Sequence, residues 1–265
     1  INVMDAIRLS SNTGVVKIID SVYNKKSKKF VDRLYNFGIA KTVISSIKGE
    51  PRPMIPHPND ESWNGLSLPW MTYGYGVKMT PMQILTFYNS IANDGEVVKP
   101  KFIHSTRKFG TNENKVYPKQ ILNKSIFSNY TNKVLKKMLY DVVHHQNGTA
   151  KNIKSKHLKL SGKTGTTQVD YITDTINYIS SFVGYFPSDK PKYSCIIVLN
   201  KPNKSKGFYG NKVAAPVFKR IAEKIFSKYP KVEEYDLNEL NENIRFSKIE
   251  IKNSSSYNKI VSNGT

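Results

Sequence analysis

Ser161-Gly162-Lys163-Thr164-Gly165-Thr166-Thr167-Gln168 is the stretch that decides the fold of this chain. A lysine and hydroxyl side chains alternate along what reads as a β-strand, beside glycines that carry no side chain. Period two puts Lys163 and Gly165 on one face and Thr164 and Thr166 on the other, and the glycines let a second backbone come close. Such an edge suits an extended acyl substrate, because it can offer a backbone N–H to an oxyanion and a cation to a carboxylate. An ordinary edge strand with a solvated lysine and β-forming threonines carries the same triplet, so the chemistry needs a companion motif.

A companion stands near the start, where Ser10-Ser11-Asn12 follows the apolar spacing Val3, Met4 and Ile7. That spacing predicts a helix ending in a polar turn. Alone, the tripeptide is a turn or a cap for a helix from Thr13 to Asp20.

Elsewhere the pattern alternates helix and strand signals. Phe37-Gly38-Ile39 predicts a glycine-capped helix end followed by a short element up to Ile47, and prolines 51, 53, 56 and 58 an irregular loop. Thr80-Pro81 opens a helix through Ile84, Leu85, Tyr88 and Ile91 that ends at Asp94-Gly95. Val134, Leu135, Met138, Leu139, Val142 and Val143 have helical period, with Gly148 as the stop. Strands are predicted near Ser161 to Gln168, Tyr178 to Phe186 and Tyr193 to Asn200, the last two joined at Pro187-Ser188-Asp189. Val213 to Tyr229 reads as an amphipathic helix on that sheet. From Pro230 onward the chain is charged and rich in Asn and Ser, as in a tail or linker.

Composition narrows the class. Of 265 residues, 38% are hydrophobic, which fits a globular domain with one good-sized core. There is no apolar run long enough to span a bilayer and no signal-peptide pattern. The lone Cys195 sits in an apolar run, as a buried thiol without a disulfide partner would. Forty-one Lys and Arg against 20 Asp and Glu give a charge of +21, which raises nucleic acid as a partner. The lysines are spread along the chain without a helix-turn-helix or stacking-aromatic signature, so nucleic acid is not expected. The charge reads instead as solvated surface, or as attraction to an anionic cell-wall polymer.

Serine β-lactamases and penicillin-binding proteins share an SxxK nucleophile, an SxN loop and a KTG or KSG strand in fixed order. Ser10 to Asn12 and Lys163 to Gly165 supply the second and third in that order. The wording Gly49-Glu50, Trp63, Gly74-Tyr75-Gly76, Thr80 to Leu85, Tyr88 and Ile91 to Gly95 resembles class B penicillin-binding proteins. So do Gly148-Thr149-Ala150, Phe182 to Pro187 and Val213 to Phe218. From Trp63 to Asn93 the likeness is to the cell-division (septal) type, with the elongation type as a near relative.

The resemblance implies an α+β fold of the penicillin-binding-protein and serine β-lactamase kind, an antiparallel sheet flanked by helices with a helical lobe opposite and the site between them. Residues 1–229 would be the C-terminal portion of the transpeptidase domain and 230–265 a polar tail. The family's SxxK lies several helical turns before the SxN loop, whereas this chain begins nine residues before Ser10. It therefore reads as N-terminally truncated, with a membrane anchor and pedestal expected upstream and the catalytic domain outside the cytoplasmic membrane. The SxxK strings at Ser45 to Lys48, Ser105 to Lys108 and Ser256 to Lys259 all follow the loop and read as chance.

The reaction implied is acyl transfer from a D-alanyl-D-alanine stem peptide through a serine acyl-enzyme, the step that β-lactams block. Ser10 would relay a proton toward the leaving amine and Lys163 would hold that hydroxyl. Asn12 would donate to the substrate backbone. Thr164 and Thr166 would bind the terminal carboxylate beside Gly165, and the Thr166 N–H would be half of the oxyanion hole. Stem peptides, β-lactams and membrane proteins of the division machinery are the partners implied, and no cofactor or metal is. His144, His145 and His157 do not share a helical face as metal ligands would. Glu50 and Glu61 read as turn and cap contacts, and Trp63, Trp70, Tyr73 and Tyr75 as packing more than substrate stacking. Two other readings stay open: a β-lactam sensor or β-lactamase, and a non-catalytic module for an anionic wall polymer.

Overall fold

Pro81 begins a helix whose start is set locally. In the computed structural model, which describes residues 2–43, 48–111, 113–169 and 176–228, Thr80 Oγ1 accepts the Gln83 N–H and Gln83 Oε1 accepts the Thr80 N–H. This reciprocal cap, with proline at the first position, leaves two fewer donors unpaired at the helix start. The other end stops where Asp94 and Gly95 both take left-handed φ, 54° and 92°.

In chain order the helices and strands are α1 (Val3–Arg8), α2 (Asn12–Tyr23), α3 (Ser27–Asn36), α4 (Ser67–Thr72) and α5 (Pro81–Ala92). Then come β1 (Val97–Val98), β2 (Ser105–Arg107), β3 (Asn114–Val116), β4 (Ile121–Asn123) and α6 (Asn129–His144). The chain goes on through β5 (Ser161–Val169), β6 (Asn177–Phe186), β7 (Tyr193–Asn200), α7 (Gly210–Val213) and α8 (Ala215–Lys228). It divides into two compact units, residues 1–223 and 224–265. Of the second, only 224–228 are described.

β5, β6 and β7 form an antiparallel sheet in that order. The second half of the central strand β6 is covered on both sides, and there the sequence, Phe182-Val183-Gly184-Tyr185-Phe186, has no polar side chain but the Tyr185 hydroxyl. On one side Phe182 and Phe186 meet Phe218 of α8 at ring distances of 4.8 and 5.7 Å, all three out of reach of water. On the other, Tyr185 packs with Ile91 of α5 and Leu139 of α6, with Phe87, Phe127 and Leu135 around them. Gly162 and Gly184 face each other across β5 and β6. A Cβ on Gly184 would lie 2.1 Å from the Ser161 carbonyl oxygen, so the two strands need this glycine for their spacing.

The helical lobe is built on Val31, Ile55 and Met71, joined by Phe30, Leu34, Trp63 and Val77. The proline-rich loop is fastened to it by Glu50, whose carboxylate accepts the Val43 N–H and the Gln83 amide. Glu50 is thus a clasp, as its setting suggested.

Several elements differ from the sequence reading. α6 ends at His144, and Gly148 is not its stop. A Cβ on Gly148 would come within 2.4 Å of the Val142 carbonyl, so this glycine lets the following loop fold back on the helix. The single helix expected from Val213 is two, broken at Ala214, because Pro216 has to sit in a first turn. Cys195 is half-buried, since the flanking face of β7 is only partly covered. The paired short strands β1 with β4 and β2 with β3 were not foreseen. The expected tail 230–265, the Tyr229 end of the last helix and most of the element expected up to Ile47 lie outside the described residues. Among the described residues no helix is long and apolar enough to cross a membrane.

Candidate active site

The turn after α1 aims its serine by backbone geometry. Leu9 closes the helix, Ser10 takes a left-handed φ of 55°, and Ser11 caps α2 by accepting the Gly14 N–H at 3.1 Å. A non-glycine residue at positive φ is held there by its surroundings, here the Ser10 N–H to Ile7 O and Ser11 N–H to Ala6 O bonds on either side. The Ser10 hydroxyl is left exposed.

Lys163 meets it from β5. Its Nζ donates to Ser10 Oγ at 2.5 Å, to the Thr164 carbonyl at 3.1 Å and to Thr164 Oγ1 at 3.4 Å. Lys163 starts on the opposite face of the strand from Thr164, but its long stem curls around the edge to reach both of that residue's oxygens. All three acceptors are neutral, and no carboxylate pairs with this ammonium among the described residues. Desolvation pulls the lysine down to about 8 from 10.5. An uncompensated, partly dehydrated cation at a strand edge is suited to a carboxylate or a developing anion.

Among the described residues, the outer edge of β5 has no strand beside it. The Gln168 N–H donates to the Tyr75 phenol oxygen at 3.2 Å, so it points away from β6. Backbone groups alternate sides along a strand, so the N–H and C=O of Thr164 and Thr166 share that outward direction. The Lys163 bond to the Thr164 carbonyl on the same side agrees. The Thr166 N–H thus faces the outer edge of β5, where it can donate to an incoming acceptor. Thr166 Oγ1 accepts the Gly210 N–H at 3.0 Å and keeps its own proton to donate. Asn12 is exposed at the first position of α2, two residues past Ser10.

Thr149 joins the pieces. Its N–H donates to Arg8 O at 3.3 Å, its hydroxyl lies 3.4 Å from Thr164 Oγ1, and its carbonyl accepts the Asn211 side chain at 3.0 Å. The serine turn, the strand and α7 are therefore one hydrogen-bonded assembly. The sequence reading did not single out Thr149, Gly210, Asn211 or the Tyr75 to Gln168 bond as parts of the site. Only the Gly148-Thr149-Ala150 triplet offered a signal, and that as likeness.

The penicillin binding protein transpeptidase domain family matches residues 1–223. The chain belongs to that family. This penicillin-binding-protein domain is 30% identical over 224 residues to peptidoglycan D,D-transpeptidase FtsI of Buchnera aphidicola, covering 83% of this chain and 36% of the relative. It is 30% identical over 225 residues to penicillin-binding protein PbpB of Mycolicibacterium smegmatis, 80% of this chain and 33% of that one. It thus spans about a third of the length of these curated relatives. Among solved structures it is similar to penicillin-binding protein 3 of Mycobacterium tuberculosis complexed with ampicillin. There the TM-score is 0.73 and the identity 25%, over 88% of this chain and 53% of that one.

The remaining sequence candidates sort themselves by contact. Ser105 lies on the exposed β2 and β3 ribbon, whereas Ser45 and the string from Ser256 fall outside the described residues. His144 stacks on Tyr140 and bonds the Leu160 backbone, and desolvation lowers its pKa. Trp63 packs in the lobe, Tyr75 caps the strand edge, and Trp70 stays half exposed with its ring 6.1 Å from Tyr75.

Proposed function

We propose that this chain carries the SxN and KTG half of a serine D,D-transpeptidase site of the cell-division type. The nucleophilic serine and its SxxK lysine would come from residues encoded before Ile1. The Lys163 to Ser10 hydrogen bond carries the reading, because it joins two motifs 153 positions apart at an open strand edge.

In this reading the incoming stem peptide lies along β5. Its terminal carboxylate is taken by the Thr164 and Thr166 hydroxyls with Lys163 behind them, and its carbonyl oxygen points at the Thr166 N–H. Attack by the serine, whose proton would pass to the SxxK lysine, breaks the D-alanyl-D-alanine amide; the leaving amine takes a proton from the Ser10 hydroxyl, which recovers it from that lysine while Lys163 stays protonated and holds the hydroxyl in place. Asn12 holds the substrate backbone. An amine from a second stem peptide then attacks the acyl-enzyme and frees the serine. A β-lactam would enter the same path and stop at the acyl-enzyme. The intact protein would sit at the cytoplasmic membrane with this domain outside, beside other division proteins, and residues 230–265 would be a tail.

Fluorescent-penicillin labelling of the protein with its preceding segment tests the reading. Labelling that disappears when the SxxK serine is replaced, and drops with Ser10→Ala, is expected. An intact, folded protein that does not label would overturn it.

A further inference from the structure

Away from the β5 edge, two adjoining cavities of about 420 and 360 Å³ share Lys99 and Lys101 as a common wall. The larger lies between the end of α5, the segment after β1 and the start of β7, the opposite edge of the sheet from Lys163. Lys99, Lys101, Lys119 and Lys192 line it. Lys119 is paired with Glu96, and Lys101 Nζ donates to the Tyr117 carbonyl at 2.8 Å. Lys99 and Lys192 have no ion pair among the described residues. The Asn89 amide donates to Ser194 and the Asn93 amide to Glu96, and the charges of this cavity left with neither an ion pair nor a side-chain hydrogen bond among the described residues are the cations Lys99 and Lys192.

The smaller cavity is of another kind. Pro100, Phe102, Ile103, Tyr117 and Pro118 line it, and Phe102 and Ile103 are half exposed. Apolar side chains left open beside unpaired charge mark an interaction surface more than a solvated face.

We propose that this composite groove docks an extended acidic segment of a partner protein, with carboxylates between Lys99 and Lys192 and an apolar side chain against Phe102 and Ile103. The charge and the apolar wall together select the occupant. A purely anionic polymer has nothing to place in the smaller cavity. A bilayer is flat where this surface is concave. A second copy would bring its own net charge of +21 against the same cations. The inference rests on this groove and not on the transpeptidase reading.

The test is fluorescence anisotropy on the full-length protein with a labelled peptide in which glutamate alternates with leucine. Saturable binding that weakens as salt is raised is expected. Lys99→Glu with Lys192→Glu should weaken it by about tenfold or more, and Phe102→Ser by several-fold, with penicillin labelling unchanged. Polyglutamate should bind less tightly and ignore Phe102→Ser. If the charge reversals impair folding, Lys99→Gln with Lys192→Gln reads the same contact. Absence of binding, or binding indifferent to both sets of variants, overturns the proposal. So does inorganic polyphosphate binding as tightly as the peptide, which would make this a polymer site. Sedimentation with phosphatidylcholine and phosphatidylglycerol vesicles without peptide binding would make it a lipid site and also overturns it.

Discussion

Ser10 Oγ and Lys163 Nζ are 2.5 Å apart although 153 positions separate them in the chain. The contact closes the site because α1 rests on α6 and α6 on β5, so the serine turn and the strand edge share a support. Ser10→Ala in the intact protein should lower penicillin acylation by roughly a hundredfold, the usual scale for a proton-relay group. Its far-ultraviolet circular dichroism should be unchanged. A variant acylated at the normal rate would remove Ser10 from the mechanism.

Lys163 gives the domain a pH signature. Its folded pKa of about 8 lies below the ordinary 10.5, so the fold holds this proton less tightly than the unfolded chain does. Below pH 8 both states are protonated and the cost of burying the charge is complete. Between about 8 and 10.5 the unfolded chain binds more protons, and this contribution to stability rises with pH until it levels off. Relative to Lys163→Met, the wild type should gain on the order of 1–3 kcal/mol across that window, less whatever the residue's partial exposure screens. Denaturant melts of both proteins at pH 7 and pH 10.5 measure it. A stability difference that does not change with pH would contradict the burial.

Gly210 is pressed against the site strand. A Cβ there would lie 2.4 Å from the Ser181 carbonyl oxygen and 2.5 Å from that of Gly165. Gly210→Ala should therefore push α7 off the sheet, break the N–H bond to Thr166 and weaken β-lactam recognition by about tenfold or more. A loss of stability of roughly 1–3 kcal/mol should accompany it, seen in the melting temperature. Normal labelling and normal melting together would mean that α7 does not hold the strand.

Thr149 offers a separable test. Thr149→Ser keeps the hydroxyl beside Thr164 and should acylate nearly as the wild type. Thr149→Val keeps the shape, loses the hydrogen bond and should slow acylation several-fold, since neutral hydrogen bonds contribute about 1 kcal/mol. Equal rates for the two variants would leave the backbone bonds of Thr149 as its whole role.

Much of this was legible beforehand. Thr80-Pro81 announced α5 because capping acts within four residues. β5 announced itself by its alternation, and β6 and β7 by the apolar stretches Phe182 to Phe186 and Cys195 to Leu199. The pairing of Ser10 with Lys163 was readable only through the order of two short motifs. What escaped was long-range or short-lived. The Gly210 N–H to Thr166 and the Tyr75 phenol to Gln168 leave no periodic trace in either partner. The strands of residues 97–123 are two or three residues long, too few to set an alternation. Gly148 reads as a helix stop because a glycine that admits a close backbone looks the same in sequence as one that ends a helix.

Tyr75 also sets a length limit at the site. A peptide added alongside β5 finds outward backbone groups at Thr164 and Thr166, about 7 Å apart. At Gln168, the next outward N–H, it meets the Tyr75 phenol oxygen already in place. A guest strand must therefore peel away past Thr166, so this end of the edge favours a chain terminus or a compact ring over the sideways growth by which open sheets aggregate.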